Sequence, residues 1–282
     1  LLDTELDAAL LPLLEGYSGE VGVALYRFGD GFRYERNARA PRFAASLIKL
    51  FVLLEALAQV DAGKLELTAR HPLRSDDVVG GNGVLKLLDA GLTPTLRDLL
   101  TLMIAVSDNT ATNILIDLVG EEAVNRRCEA LGLHATRLVG KLSLPEARYN
   151  TLQRRGERNR TSPSDVLELL VALAEGRWLS DAASILALTT LEAQLYTEAL
   201  ARYLPTDPEL DERPVTVASK SGCLRGVWHD AGVISRGGKP CYALVVMTTD
   251  SHDRRFGWEQ EGMILIARVA ERVHELVVAE GE

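Results

Sequence analysis

The chain has 282 residues, 47% of them hydrophobic and 25% charged, an ordinary globular composition with length enough for a sizeable core. A formal net charge of −9 and the absence of a basic run argue against a polyanionic partner, so nucleic acid is excluded as the natural ligand. Apolar segments are all interrupted well short of the roughly 20 residues a membrane-spanning helix needs.

The chain starts Leu1-Leu2-Asp3-Thr4-Glu5, with no initiator Met and no basic-then-apolar signal, so a trimmed or mature chain is expected. Leu6, Leu10, Leu13 and Leu14 recur at helical spacing, and Pro12 is expected to end or kink that helix. A β-prone run, Glu20 to Phe28, then Gly29-Asp30-Gly31 and the alternating stretch Phe32 to Arg36, predict a hairpin. A crossing segment with Pro41 leads to a helix that begins near Ser46 and runs through Leu50, Leu53, Leu57 and Val60 to Gly63. From there to about residue 205 the periodicity is helical. Leu96 to Val119 is the most apolar stretch and is interrupted by Ser107-Asp108-Asn109. Gly80-Gly81-Asn82-Gly83 reads as a flexible turn without the lysine of a phosphate-binding loop.

Residues 141 to 163 have no clean period and read as a long loop, of a length that is often functional. Helices resume at Ser164 to Glu175 and from Ala182 to Tyr203. After Pro205 to Pro214 the pattern turns to strands, Val215 to Ser219, Val227 to Ser235 and Cys241 to Thr249, closed by an amphipathic helix from Glu259 to Val278. The fold class is therefore α+β: an antiparallel sheet built from both chain ends with flanking terminal helices, residues 1–40 and 213–282. A mostly helical domain, 41–212, is inserted between them, with the active site at their junction.

Ser46 and Lys49 stand three apart at a helix start, so both side chains leave one face of the first turn, as a nucleophile and its base would. A helix-start serine followed by a surface lysine is the commoner meaning of that spacing. Two further motifs follow in order, Ser107-Asp108-Asn109 and Lys220-Ser221-Gly222. The three together resemble the Ser-x-x-Lys, Ser-Asp-Asn and Lys-Thr/Ser-Gly set of class A β-lactamases and penicillin-binding proteins. The resemblance extends to the loop, where Glu146, Asn150 and Thr161-Ser162-Pro163 stand in the family's order.

The resemblance implies a serine hydrolase in which Ser46 is acylated, with Lys49, or Glu146 through a water, taking its proton. Main-chain N–H groups of Ser46 and Cys223 would form an oxyanion hole. Ser107 would relay a proton to the leaving group. Lys220, with Ser221 and Gly222 beside it, would hold Ser107 and attract an anionic substrate. Asn109 would bind the acyl side chain, and Glu146 with Asn150 would position the deacylating water. Two departures stand out. The family's ionic clamp on the loop is replaced by Leu144 and Asn159, which predicts a mobile or reshaped loop. The arginine that binds substrate carboxylate is missing from Val227-Trp228-His229-Asp230, with Arg225 or Arg236 as substitutes.

The expected substrate is a small molecule, a β-lactam first. A carboxylesterase or D,D-peptidase, or a sensor that acylates without turnover, stands as the alternative. No cofactor is expected. The five scattered histidines and the thiols Cys128, Cys223 and Cys241 have no metal-ligand spacing, so no metal site is expected. The thiols read as buried and structural. His229-Asp230 suggests a triad with Ser46, but Lys49 already fills the base position. A monomer is expected, and the family would place it in the periplasm or outside the cell.

Overall fold

The computed structural model describes residues 2–207, 209, 211 and 214–279. Helix α1 (Leu2–Glu15) leads into strands β1 (Glu20–Arg27) and β2 (Arg33–Arg36), the two-residue strand β3 (Arg42–Phe43), a 3₁₀ turn at Ala45–Leu47, and helix α2 (Ile48–Asp61). The middle of the chain forms α3 (Leu96–Ala105), α4 (Asn109–Val119), α5 (Glu121–Ala130), the one-turn α6 (Thr151–Arg154), β4 (Arg160–Thr161), α7 (Pro163–Ala174) and α8 (Asp181–Glu192). Strands β5 (Val215–Leu224), β6 (Val227–Arg236) and β7 (Lys239–Thr249) and helix α9 (Glu261–Ala279) complete it.

Five antiparallel strands form one sheet in the order β2-β1-β7-β6-β5, so β1 from the start of the chain pairs with β7 from its end. Period-two alternation splits the core between the two faces. Along β7, Tyr242, Leu244 and Val246 pack with α1 and α9, while Ala243, Val245 and Met247 face the helical layer. A sheet covered on both faces needs apolar residues at consecutive positions, which is why β7 reads as an unbroken hydrophobic run. Helix α2 is buried over every residue from Ile48 to Leu57, including the charged Lys49 and Glu55. Glu55 is neutralised by an ion pair with Arg127 of α5. The α+β architecture is thus as expected; the boundary expected between residues 212 and 213 lies outside the described residues.

Several local expectations are corrected. Helix α1 continues past Pro12 to Glu15, so the proline does not end it. Proline forfeits one backbone bond, and the packing of Leu2, Leu6 and Leu10 outweighs that loss. Helix α8 ends at Glu192 instead of continuing to Tyr203. The following residues leave the helix because Leu195 N–H donates to the Ala105 carbonyl (3.0 Å) and the Gln194 side chain turns into β5. Strand β5 continues past Ser219 to Leu224, which places Lys220-Ser221-Gly222 inside the strand rather than at its exit. The loop from 141 to 163 holds a 3₁₀ turn at Glu146–Arg148, α6 and β4.

Candidate active site

Ser46 lies in the 3₁₀ turn that opens into α2, and Lys49 is the second residue of that buried helix. The turn is reached through Ala45 at φ +44°, a left-handed conformation costly for a residue with a Cβ. Strand β5 presses against it: a Cβ on Gly222 would stand 3.0 Å from Ser46 N and 3.3 Å from Leu47 N, so any side chain there would have to push the Ser46 turn aside. The third contributor is the break between α3 and α4. Ser107, at φ +53°, turns the chain, and Asp108 caps α4 by accepting from Ala111 N–H (2.9 Å). The other oxygen of Asp108 accepts from Val84 N–H (2.7 Å) and Leu85 N–H (2.8 Å), fastening the glycine-rich turn to the site. That turn is packed rather than loose. Gly83, at φ +113°, lies so close to Asp108 that a Cβ would meet its carboxylate at 2.3 Å.

The Ser107 hydroxyl stands between the other two groups, 3.0 Å from Ser46 Oγ and 2.9 Å from Lys49 Nζ. Lys49 Nζ also donates to the Ser107 carbonyl (2.7 Å) and to Asn109 Oδ1 (2.9 Å). Full burial, reinforced by the positive charge of Lys220, holds the Lys49 amine well below its usual pKa. Burial likewise brings Lys220 down to about 8, against the opposing pull of Asp230.

Lys220 does not reach Ser107 by a direct hydrogen bond; its Nζ donates to the Ser221 carbonyl (2.7 Å) and, at 3.4 Å, to Gln194 Oε1. Gln194 has no counterpart in the sequence reading. Its Oε1 also accepts from Ser221 N–H (2.8 Å) and Ser221 Oγ (3.0 Å), and its Nε2 donates to Ser219 Oγ (2.6 Å). One buried amide therefore ties down three consecutive residues of β5, Ser219 and the first two of the Lys220-Ser221-Gly222 motif. A lone Gln after a helix gives no periodic or spacing signal by which to find it.

His229 and Asp230 are consecutive, fully buried residues of strand β6, so their side chains point to opposite faces of the sheet. His229 Nδ1 lies 2.7 Å from the Trp228 carbonyl and 3.2 Å from Thr248 N, its Nε2 lies 2.8 Å from the Phe43 carbonyl, and burial depresses this histidine to about 4. Asp230 accepts from Leu200 and Ala231 N–H groups and is raised to about 7 by burial. They hold backbone in place and form no triad with Ser46.

The loop departs from expectation. Glu146 is exposed, its carboxylate makes no hydrogen bond among the described residues, and it does not line the cleft. Asn150 caps α6 by accepting from Gln153 N–H (2.9 Å) and donates to the Val139 carbonyl (2.7 Å). The loop is nonetheless anchored. Asn159 Oδ1 accepts from Val139 N–H (2.6 Å) and Gly140 N–H (3.1 Å), and its Nδ2 donates to the Gly140 carbonyl (3.0 Å). Gln153 Nε2 adds a bond to the Lys141 carbonyl (2.9 Å). Amides close the neck where, as expected, the ion pair is absent.

Two cavities meet at Ser46, sharing Asn82 and Cys223. The larger, about 600 Å³, runs under the loop past Asn109, Leu142, Tyr149 and Gln153; Lys141, Arg158 and Arg225 also line it, and no carboxylate does among the described residues. The smaller, about 230 Å³, contains Ser107, Ser221 and Gly222. All three cysteines are free; Cys128 is buried, whereas Cys223 and Cys241 are only half-buried. No cluster of side chains among the described residues suits a metal ion.

Fold and site together define the class, an α+β hydrolase with a serine at the head of its central helix. The chain belongs to the β-lactamase enzyme family, whose profile matches residues 4–277. A β-lactamase of Rhodobacter capsulatus is 34% identical over 167 residues, 59% of this chain and 55% of that enzyme. One from Bacteroides uniformis is 24% identical over 96% of this chain and 91% of its own length. The crystal structure of a β-lactamase from Sphaerobacter thermophilus superposes with a TM-score of 0.84 at 32% identity, covering 98% of each chain. A point mutant of PBP-A, solved as its acyl-enzyme complex with penicillin G, shares the fold at a TM-score of 0.82 and 23% identity, over 99% of this chain and 97% of that one.

Proposed function

We propose that the protein is a serine hydrolase of class A type, in which Ser46 is acylated by β-lactams. The observation that carries this reading is the run Ser46 Oγ, Ser107 Oγ, Lys49 Nζ, each within hydrogen-bond reach of the next. A neutral Lys49 uses two N–H bonds on the Ser107 carbonyl and Asn109 and keeps a lone pair facing the Ser107 hydroxyl. As Ser46 attacks, its proton passes to Ser107 and the Ser107 proton to Lys49. The reverse transfer delivers a proton to the leaving nitrogen. Main-chain N–H groups of Ser46 and Cys223 receive the developing oxyanion, a contribution worth about a hundredfold or more per donor. Asn109, on the wall of the larger cavity, meets the acyl side chain.

A second reading, a protein that acylates and releases slowly, is favoured by one observation: no described carboxylate lines the larger cavity, under the loop, to activate water against the ester. Intact mass followed over time with penicillin G separates the two. A transient adduct with accumulating product supports hydrolysis, a lasting adduct supports the slow form, and an absent adduct refutes both.

A further inference from the structure

We propose that the larger cavity selects substrates whose acyl side chain carries a carboxylate, with Arg158 and Arg225 as the residues that set this preference. The proposal rests on the reading of Ser46 as the acylated residue and adds the charge of the group it keeps.

The proton path decides which half of a substrate enters which cavity. Ser107, which hands a proton to the departing nitrogen, lines the smaller cavity and not the larger. The ring of a penicillin, with the carboxylate it bears, therefore lies on the Ser107 side, where Ser221 lines the wall and Lys220 Nζ stands 2.7 Å from the Ser221 carbonyl. The acyl side chain extends into the larger cavity. The sequence suggests Arg225 or Arg236 as the arginine for the ring carboxylate, and neither is on that side. Arg236 pairs with Val215 at the far end of β5, roughly 20 Å along the strand from Gly222. Arg225, in the turn between β5 and β6 two residues past Cys223, lines the larger cavity and not the smaller.

Arg158 is held at the same wall. Its guanidinium carbon lies 5.8 Å from the centre of the Tyr149 ring, and its Nη1 donates to the Gln153 (3.2 Å) and Glu157 (2.9 Å) carbonyls; Tyr149 and Gln153 both line the cavity. Nη1 thus spends its hydrogens on neutral groups, and neither arginine pairs with a carboxylate among the described residues. The third cation of the wall, Lys141, spends its charge on Asp117 at 2.6 Å. In a chain with 40 acidic and 31 basic residues, a cavity with cations and no described carboxylate on its wall reverses the surrounding charge and favours an anion inside it. Phe43, Leu142 and Phe256 add apolar wall, so a side chain that joins a ring to a carboxylate meets both kinds of surface. An ammonium in the same position faces two arginines without a counter-charge.

The test uses three penicillins that differ only in the substituent on one carbon of a shared phenylacetyl side chain: carbenicillin (carboxylate), penicillin G (hydrogen) and ampicillin (ammonium below neutral pH). Equilibrium binding to Ser46→Ala protein, which cannot be acylated at that position, is measured by titration calorimetry at one mildly acid pH. Carbenicillin is expected to bind about fivefold or more tightly than penicillin G at low ionic strength, and ampicillin more weakly than either, with the spread shrinking as salt is raised. Arg158→Gln and Arg225→Gln are each expected to narrow the ratio of carbenicillin to penicillin G affinity, and the double variant to bring it to about one. Each ratio is taken within a single protein, so a general loss of affinity cancels. Carbenicillin binding undetectably or no more tightly than penicillin G, or a ratio unchanged in the folded double variant, overturns the proposal. Failure of the acylation reading shows separately, as an absent adduct when the native protein is mixed with the same three penicillins.

Discussion

Replacing Lys49 by Met tests the proton path most directly, because methionine keeps the length and apolar stem of the side chain while removing the amine. Lys49 Nζ is fully buried, with partners at 2.7 and 2.9 Å in the Ser107 carbonyl and the Asn109 amide oxygen, and the Ser107 hydroxyl at 2.9 Å. Loss of a positioned proton acceptor costs about 10²- to 10⁴-fold in rate, or roughly 3–5 kcal/mol of barrier. The two orphaned oxygens cost about 1–3 kcal/mol each in stability. Removal of an amine that burial already disfavours offsets part of that, so the variant is expected to fold. The sign of the pH dependence follows from the depressed pKa. Below it the amine is protonated and has no lone pair, so acylation in the native protein rises with pH through a limb well below the ordinary lysine range. The assay is the rate of penicillin adduct formation by rapid quench and intact mass, across acid and neutral pH. A Lys49→Met protein that acylates within about tenfold of the native rate, or that keeps the same pH limb, refutes the assignment.

Other outcomes follow from neighbouring features. Glu146→Ala is expected to leave the adduct lifetime unchanged, since its carboxylate lies outside the cleft; a lifetime prolonged about tenfold or more brings Glu146 back into the mechanism. Asn159→Ala removes three bonds to the 139–140 backbone and is expected to lower unfolding free energy by about 2–4 kcal/mol in urea titrations and to expose residues 141–158 to protease. Gly222→Ala drives a Cβ against Ser46 N and is expected to slow acylation without loss of secondary structure, read by adduct formation beside circular dichroism. His229 binds its proton less tightly when folded, so it contributes stability that is present above pH 6.5 and lost as pH falls towards about 4, up to roughly 3 kcal/mol. Asp230, raised to about 7, acts in the opposite sense below that value, so the readout is the difference in pH slope between the native protein and His229→Gln. Identical slopes refute the buried-histidine account.

The strand and helix pattern was legible because period two and period 3.6 are local properties, whereas the covering of β7 on both faces showed only in the structure. The three spaced motifs were legible as motifs, and the fold brings Ser46, Lys49 and Ser107 within bonding distance. What stayed hidden are contacts between residues distant in sequence. Gln194 acts on Ser219, Lys220 and Ser221, and Asp108 reaches back to Val84 and Leu85; neither residue type advertises such a partner. The loop misled for a different reason. Reading Leu144 and Asn159 as the loss of an ion pair pointed to a mobile or reshaped loop, and the second holds: a carboxamide offers both a donor and an acceptor and closes the same neck onto peptide groups.

Fastening a loop with carboxamides has a chemical lifetime attached to it. Side-chain amides do not titrate, so acid, alkali within the working range and high salt leave the neck around Asn159 shut. Hydrolysis of that one amide to a carboxylate keeps the acceptor for the Val139 and Gly140 N–H groups but sets a negative charge against the Gly140 carbonyl, where a donor had been. Deamidated molecules are thus expected to open at the neck while the catalytic serine stays intact, and aged preparations to lose cleft shape before they lose their nucleophile.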